Sequence, residues 1–433
     1  MKILTAEYVL PISSDPIDQG AVAIEGSEIM AVGPSQEVLP QFPAAEIEDF
    51  GSAAILPGFV NCHSHLELTA MRGALDGVEH DFRSWLLKIN SLREAMTDAD
   101  IEAAAYAGAL EGAAAGVTCF GDIGRYGLAG ILALKKTGQR GIVFQETDFS
   151  PDNRTANGDF AKLGAKYEEL RKEGTDLVQV GLSPHSPYTV SSRLFELIAQ
   201  YAILNRVPLS IHAAESVEET NLMANGEGFF TEFYERLGLN WESPHCTSIV
   251  YLERLGVLSA RPLLAHCVTV SDSDIVRIAA NGASIAHCPK SNAKFGHGYA
   301  PLEKFLDAGI SVGLGSDSVA SNNVCDLLEE SRFAILAARN RTKSGSPHEV
   351  RAYNSRNFLT AKQALEAATL GGAKALGLDH LIGTLEPGKQ ADLAVVSLNN
   401  QAQQPVNDIE AALVFSSNSR DVKIAVVAGA VLT

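Results

Sequence analysis

Residues 53–65 of this 433-residue chain read AAILPGFVNCHSH, an apolar run that ends in two histidines separated by one residue. In an extended strand alternate side chains point to the same side, so His63 and His65 face one spot. Two neutral imidazoles held this close at the end of a buried strand are suitable ligands for a divalent metal, zinc first. Two surface histidines near a strand end would give the same triplet, so other parts of the sequence are needed to distinguish them from a metal site.

Four further runs of small and aliphatic residues end in a group that binds metal or moves protons. They end at His212 (followed by Glu215), at His266, at His287 and at Asp317. Such runs are typical of parallel strands that are buried on both faces. A buried histidine or aspartate has to be paired or metal-bound, because leaving it unpaired costs several kcal/mol. A single strand end of this kind is readily explained as a core histidine, whereas five of them indicate a metal site.

The runs belong to a series of strand–helix units. We predict strands at 55–63, 117–122, 140–147, 177–183, 207–213, 262–267, 283–287 and 311–317, with helices such as 98–116, 191–205 and 272–281 between them. Ser191 and Asp272 are placed to cap two of these helices. Eight strands alternating with helices predict an α/β fold, a (β/α)₈ TIM barrel, whose active site lies at the C-terminal ends of its strands. A doubly wound open sheet is the alternative, but it does not bring the first and eighth strands together.

The two ends of the chain differ from its middle. Residues 1–54 and 384–433 contain short strand-like runs with turns, and neither end alone could bury a face. We therefore expect both ends to pair into one small β-sandwich, beside a metal-dependent barrel at 55–383. Residues 218–261, between the fifth and sixth strands, form either a packed surface insertion or a substrate lid, and an aromatic cluster at 229–234 suggests the lid.

Composition is that of a cytoplasmic enzyme. The 34 Lys and Arg against 52 Asp and Glu give a formal charge of −18 without a basic block, which disfavours nucleic acid and anionic membranes as partners. The first residues lack the apolar core of a signal peptide, and no run approaches membrane-spanning length. The six cysteines, which form no C-x-x-C pair, are expected to be buried thiols. We expect a small-molecule substrate, and a homo-oligomer is compatible with the sequence.

The set H-x-H, His-x-x-Glu, His and Asp, in this order at strand ends, resembles the amidohydrolase superfamily, and within it the mononuclear-metal deaminases. The lead-in PGFVN at 57–61 and the tail EPGKQADL at 386–393 extend the resemblance over essentially the whole chain. The resemblance implies that one ion is held by His63, His65, His212 and Asp317. Zinc is the expected metal, with Fe²⁺ or Mn²⁺ as alternatives. The carbamylated lysine of binuclear relatives has no counterpart near the fourth strand, where the sequence is GLSPH.

The same resemblance assigns the chemistry to Glu215, His266 and Asp317. Zinc lowers the pKa of a bound water to about 7. Glu215 lies three residues past His212, a spacing that can place it beside this water, where it takes a proton and delivers it to a ring nitrogen. Asp317 relays a second proton to the departing amine, and His266 stabilises developing charge. A carboxylate that is merely favoured by a helix N-terminus is the other interpretation of Glu215.

Four further residues are candidates for substrate binding. The stretch SPHSPY at 183–188 resembles the fourth-strand motif of deaminases acting on adenosine-like nucleosides such as S-adenosylhomocysteine, in which the histidine, here His185, contacts the substrate. A histidine fixed between prolines is the other interpretation. His287 is placed to face the pocket. Trp85 either walls the pocket or anchors its helix, and Arg140 either binds a polar group of the ligand or is solvated.

Several stretches depart from the S-adenosylhomocysteine pattern. They are HLELT at 65–69, FQE at 144–146, where those deaminases carry an arginine, and NAKFGHG at 292–298. Together with YLERLGVL at 251–258 they look more like the deaminases of 6-amino-6-deoxyfutalosine in the menaquinone pathway. We therefore expect that substrate first, with S-adenosylhomocysteine, 5′-methylthioadenosine and adenosine next. The alternatives are an amidohydrolase of a non-nucleoside heterocycle, triazine-like or guanine-like, and a structural homologue that has lost catalysis.

Overall fold

The computed structural model of the chain describes residues 1–239, 241–341 and 358–432. Its strands, in chain order, are β1 (Lys2–Val9), β2 (Ile17–Glu25), β3 (Glu28–Pro34), β4 (Glu46–Asp49), β5 (Ala53–Pro57), β6 (Phe59–Ser64), β7 (Val117–Gly124), β8 (Arg140–Glu146), β9 (Val178–Ser183), β10 (Ser210–Ala213), β11 (Leu263–His266), β12 (Ser284–His287), β13 (Val312–Leu314), β14 (Leu393–Ser397), β15 (Val422–Val427) and β16 (Ala430–Val431). Its α-helices are α1 (Ser35–Val38), α2 (Phe82–Glu94), α3 (Asp98–Ala114), α4 (Gly127–Thr137), α5 (Ala156–Glu173), α6 (Ser192–Asn205), α7 (Val217–Asn225), α8 (Phe229–Arg236), α9 (Ser248–Arg254), α10 (Asp272–Asn281), α11 (Pro289–Lys294), α12 (Leu302–Asp307), α13 (Val319–Asn322), α14 (Leu327–Arg341), α15 (Ala361–Glu366), α16 (Gly372–Ala375) and α17 (Ile409–Ala411).

The middle of the molecule is built from β6 to β13. Strands β6 to β9 pair in sequence as one parallel sheet, and β10 to β13 pair as a second. Isolated parallel bridges connect the two sheets on both sides, between Leu182 and Leu209 and between Ser64 and Asp317. The second bridge brings the first strand of this series beside the last. The pairings agree with an α/β fold of the TIM-barrel type, as predicted, and they disagree with an open doubly wound sheet.

Both chain ends contribute to a further sheet, in the order β16-β15-β14-β5-β1-β2-β3, with β4 paired to β1. The two ends therefore pair, as expected from their inability to bury a face alone. They do so within one hydrogen-bonded sheet, and the prediction of a separate β-sandwich is not confirmed. Between β14 and β15 the chain leaves this sheet, and Leu398, Ile409 and Leu413 pack into the core of the barrel.

The predicted first strand at 55–63 is in fact two strands. Strand β5 pairs antiparallel with β14 in the sheet of the chain ends, whereas β6 starts the barrel at Phe59. The chain crosses between the two sheets at Gly58, where a Cβ atom would lie 2.2 Å from the side chain of Thr118. A continuous apolar run conceals this break, because both strands are buried on both faces. The sheet of the chain ends thus extends past the predicted boundary at residue 54.

One of the two predicted helix caps is confirmed. The side chain of Ser191 accepts a hydrogen bond from the backbone N–H of Leu194 at the start of α6. The prediction for Asp272 is wrong, because Ser271 is the N-cap of α10 and forms a capping box with Asp274. The preceding serine is the better cap because its hydroxyl reaches the third residue of the helix.

Residues 218–261, of which Asn240 lies outside the described residues, contain most of α7, the helices α8 and α9, and a short 3₁₀ helix at Leu258–Ala260. Phe230 and Tyr234 of α8 pack into one apolar cluster with Phe82 and Trp85 of α2. The segment therefore covers the barrel at the end where β10 finishes.

All six cysteines are free thiols, and five of them are buried. In the described part of the chain, no helix combines the length and the apolar character needed to cross a membrane.

Candidate metal and active site

Four side chains meet where β6, β10 and β13 end. The Nε2 atoms of His63 and His65 each lie 3.4 Å from Oδ1 of Asp317. The Nε2 atom of His212, on β10, lies 3.3 Å from Nε2 of His65. His63, His65 and His212 share one group of ligand atoms within 4.8 Å of one another, and His63 and Asp317 share a second with His266. Alternation along β6 brings its two histidines to the same side, as the H-x-H spacing predicted.

The hydrogen bonds of the rings leave lone pairs facing one another. The Nδ1 atoms of His65 and His212 contact the backbone oxygens of Ile123, at 3.0 Å, and of His185, at 3.1 Å. A carbonyl oxygen only accepts, so each Nδ1 donates and each neutral ring presents a bare Nε2. Both nitrogens of His63 are buried without a hydrogen-bond partner among the described residues. A cation held between these nitrogens would satisfy the acceptors that face one another.

The charge states fit the same conclusion. Burial lowers the pKa of His63 to about 4 and that of His65 to about 3, so both rings are neutral near neutral pH. Burial opposes ionisation of Asp317, but contact with His63 and the neighbouring imidazoles holds its pKa well below the usual range. Its Oδ2 accepts hydrogen bonds from Ser291, at 2.6 Å, and from Ser321, at 2.8 Å, which leaves Oδ1 for the cluster. Three imidazoles and one carboxylate form a donor set that zinc binds.

The backbone at these strand ends is strained. Ala214, His266, Cys267 and Asp317 all have positive φ angles, between 49° and 72°. Residues other than glycine avoid this region, at a cost of about 1–3 kcal/mol each. The strain turns the chain sharply after β10, β11 and β13, so that side chains point into the barrel mouth.

Glu215 stands beside this cluster on the turn after β10. Its backbone N–H and that of Ala214 donate to the two carboxylate oxygens of Glu219, at 3.0 and 2.8 Å. Glu219 is itself fully buried, so the turn that carries Glu215 is fixed. Burial raises the pKa of Glu215 to about 8. A carboxyl group with such a pKa gains and loses a proton near neutral pH.

His266 faces Glu215 across the site. Its Nε2 lies 3.7 Å from Oε1 of Glu215, and its Nδ1 is 2.9 Å from Oδ1 of Asn292. An amide oxygen only accepts, so Nδ1 donates, and in the neutral form of the ring Nε2 is then an acceptor. Asn292 therefore fixes the tautomer of His266.

The cluster opens into a cavity of about 360 Å³. Eight aromatic side chains contribute to its wall, and they come from α2, from α8 and from the loops after β8, β9 and β12: Phe82, Trp85, Phe149, Tyr188, Phe229, Phe230, Phe233 and Phe295. Phe82, Trp85 and Phe295 contact one another at ring-centroid distances between 4.8 and 6.3 Å. A volume and wall of this kind suit a small organic ligand with flat or apolar parts.

The cavity wall also contains charged side chains. Glu146, at the end of β8, accepts a hydrogen bond from Nε of Arg125 at 3.1 Å, and its Oε1 lies 3.7 Å from Nε2 of His185. Arg93 lies between Glu146 and Glu67, at 4.0 and 3.6 Å. Glu146, Arg93 and Arg125 line the cavity, so one carboxylate and two guanidinium groups are within reach of a ligand there.

The structure places two of the four predicted substrate residues in the cavity wall and two elsewhere. His185 and Trp85 line the cavity. The prediction for Arg140 is wrong: it begins β8, at the opposite end of the strand from Glu146, and forms a buried two-bond ion pair with Asp392. His287 does not line the cavity either. Its side chain is buried, and burial lowers its pKa to about 3.

Three residues with clear positions in the site were missed by the sequence reasoning. Asn292 orients His266, Glu219 anchors the turn of Glu215, and Glu146 lies against His185. Glu219 is four residues past Glu215, a spacing at which an acidic residue in the first helical turn reaches back to the preceding backbone. Glu146 ends a fully buried strand, the same signal that identified the metal candidates.

The chain is similar to a known protein family, to a curated relative and to solved structures. The model of the amidohydrolase family matches residues 54–432. A 5-methylthioadenosine/S-adenosylhomocysteine deaminase of Moorella thermoacetica is 32% identical over 98% of this chain and 92% of that protein. The structure of an adenosine deaminase from Xanthomonas campestris with bound zinc is 27% identical with a TM-score of 0.83, covering 99% of this chain and 92% of that one. An atrazine chlorohydrolase from Arthrobacter aurescens, complexed with zinc, is 25% identical with a TM-score of 0.82, covering 100% and 95%.

Proposed function

The chain belongs to the amidohydrolase family, and on this basis we propose that it is a metal-dependent hydrolase that deaminates adenine nucleosides. One observation carries the proposal: three imidazoles and Asp317 converge beside a buried carboxyl group, Glu215, at the floor of an aromatic cavity. The relatives named as adenine nucleoside deaminases support this substrate class. The products would be the corresponding hypoxanthine nucleoside and ammonia.

We assign the metal to His63, His65, His212 and Asp317, with zinc as the expected ion. The unpartnered nitrogens of His63 and the facing Nε2 atoms of His65 and His212 support this donor set. When bound, zinc acts as a Lewis acid and lowers the pKa of a water molecule to about 7. The zinc in two similar structures supports the choice of metal.

Glu215 would move the proton that the reaction requires. Its carboxyl group can take a proton from the attacking water and pass it to a ring nitrogen of the base, since its pKa near 8 favours both steps. The anchored turn holds the carboxyl group in place, so reorganisation during the reaction is small. Asp317, with Oδ2 already bonded to two serine hydroxyls, would relay the second proton to the departing amine.

His266 and His185 would position the reacting groups. His266 presents an acceptor nitrogen toward the site, because Asn292 uses its other nitrogen. His185 reaches the cavity with Nε2, while its Nδ1 is held by the hydroxyls of Ser186 and Thr189 at 2.9 and 2.8 Å. We infer that His185 contacts the nucleoside, as predicted from the sequence.

The wall of the cavity favours an adenine nucleoside with a large 5′ substituent. Phe229, Phe230 and Phe233 of α8 line the cavity, so they can cover a group attached to the ribose. Each 100 Å² of apolar surface covered in this way contributes about 2.5 kcal/mol. Our preferred substrate is 6-amino-6-deoxyfutalosine, whose substituent is partly aromatic, ahead of S-adenosylhomocysteine and 5′-methylthioadenosine.

A substrate panel tests the proposal. Zinc-loaded protein is incubated with adenosine, 5′-methylthioadenosine, S-adenosylhomocysteine and 6-amino-6-deoxyfutalosine, and the loss of adenine absorbance and the release of ammonia are followed. We expect ammonia from adenine nucleosides and none from cytosine or guanine. Equal rates for all four nucleosides would refute the preferred substrate alone, and no ammonia from any of them would refute the deaminase proposal.

A second candidate is hydrolysis of a non-nucleoside heterocycle, favoured by the similarity to the atrazine chlorohydrolase. A chloro-s-triazine in the same assay, with chloride as the measured product, separates this activity from deamination. Elemental analysis of the purified protein tests the remaining alternative, a homologue that has lost catalysis, because an intact donor set predicts about one ion per chain.

A further inference from the structure

His297 is turned into the site by two glycines. Gly296 and Gly298, on either side, have φ angles of +73° and +103°, in the region that favours glycine. The backbone N–H of His297 donates to the carbonyl oxygen of Asn292 at 2.9 Å. Its ring stacks on Phe295, with centroids 5.1 Å apart, and meets the ring of Phe82 edge-on at 4.9 Å. The loop after α11 therefore holds this ring in a fixed orientation.

The Nε2 atom of His297 has no hydrogen-bond partner within the part of the chain that the structure describes, although it is buried. It lies 3.9 Å from Oε1 of Glu215, and the side chain is 5% exposed. A buried polar atom without a partner requires an explanation. Hydrogen bonds of active sites are often long in the free enzyme and shorten when substrate binds.

Two imidazoles thus approach the same oxygen of Glu215, but they differ in whether Nε2 can donate a hydrogen bond. His266 presents an acceptor, because its Nδ1 hydrogen is used on Asn292. Two lone pairs face one another when Glu215 is ionised, which is unfavourable. His297 carries no such restriction at Nε2, and a neutral ring with its hydrogen on Nε2 donates to the carboxylate.

We propose that His297 is a positioning residue that donates Nε2–H to Oε1 of Glu215 and stabilises its ionised form. Oε2 then remains for the proton that Glu215 takes from water and passes to the base. The inference rests on the proposed role of Glu215 in deamination. Burial lowers the pKa of His297 to about 4, so the ring is neutral under working conditions.

Two variants separate donation from packing. H297F keeps a flat ring between Phe82 and Phe295 but has no donor, whereas H297Q retains an N–H group at a similar distance from the backbone. H245Q, at an exposed histidine outside the cavity wall, is the matched control. Each variant is purified with zinc, and metal per chain is measured before any other comparison.

The first readout is steady-state kinetics on the best nucleoside of the panel. We expect H297F to lower kcat about tenfold with KM within about twofold, since one charge-assisted hydrogen bond is lost. H297Q should retain most of the activity, and H245Q all of it. The second readout is the pKa of Glu215, followed by the infrared band of its protonated carboxyl group and assigned with E215Q. We expect H297F to raise this pKa by about one unit and H297Q to leave it near the wild-type value.

Wild-type kcat and carboxyl pKa in H297F would overturn the inference, as would equal changes in H297F and H297Q. If H297F does not fold, H297L replaces it under the same criteria. If the wild-type protein deaminates no nucleoside but the carboxyl pKa responds as expected, the contact stands and the proposed function fails.

Discussion

Replacing Arg140 by methionine should destabilise the protein and leave catalysis intact. Nε and Nη2 of Arg140 donate to the two carboxylate oxygens of Asp392 at 2.9 and 3.1 Å, and both side chains are at least 95% buried. The pair connects the first residue of β8 to the residue that precedes β14. The sequence alone makes Arg140 a candidate for substrate binding, so the variant distinguishes a substrate-binding residue from a structural ion pair.

The expected magnitude follows from burial. Removing one partner of a buried ion pair costs about 3–5 kcal/mol, because the remaining charge loses its counterion in a medium of low polarity. Asp392 would keep a hydrogen bond from the backbone N–H of Ala428, at 2.8 Å, which favours the lower end of this range. Arg140 and Glu146 are six residues apart on one strand, about 20 Å, so kcat and KM should not change at low temperature.

Urea unfolding measured for R140M, D392N and the double variant R140M/D392N gives the coupling free energy of the pair. R154M is a suitable control, since Arg154 forms a comparable contact with Asp152 at the surface and its loss should not be measurable. A rise in KM of R140M without loss of stability would refute our assignment and return Arg140 to the substrate site.

Four other predictions concern the site itself. Changing His212 to alanine should remove both metal and activity, and a variant that retains one metal ion per chain would contradict the ligand set. Glu215→Gln should keep its metal while turnover falls by about 10²–10⁴, the usual contribution of a positioned acid–base group; near-native turnover would exclude Glu215 from the mechanism. His185→Ala should raise KM or lower turnover for nucleosides at unchanged metal content, so wild-type kinetics would argue that it is only structural. Phe233→Ala should reduce kcat/KM by up to about tenfold for a nucleoside with a large 5′ substituent and less for adenosine, and equal losses would speak against a covering role of α8.

The barrel and its metal cluster were predictable because one signal repeats. Buried parallel strands leave continuous apolar runs, and a polar residue at the end of such a run has few stable environments. This signal is ambiguous where two strands follow one another within the same run. Residues 53–64 form a single apolar run although two strands of different sheets share it, and only the close approach of Gly58 to Thr118 reveals the break.

Side-chain direction was less predictable than position. His287 ends a buried strand as His212 does, yet its buried side chain does not line the cavity. Arg140 lies on a strand whose other end reaches the site, and the sequence does not show that its partner is Asp392, 252 residues away. Likewise, His297 is placed by the conformation of two glycines, which depends on the surrounding loop.

The proposed ion would affect the stability of the fold as well as the chemistry, because its ligands come from both four-stranded sheets. His63 and His65 belong to or follow a strand of one sheet, whereas His212 and Asp317 belong to or follow strands of the other. An ion bound by all four would add a link between two sheets that also share a hydrophobic core, and it would stabilise the folded chain by about 4 kcal/mol at a thousandfold excess over its dissociation constant. A chain that lacks the ion is therefore expected to unfold at a lower temperature than the metal-bound chain, whether or not substrate is present.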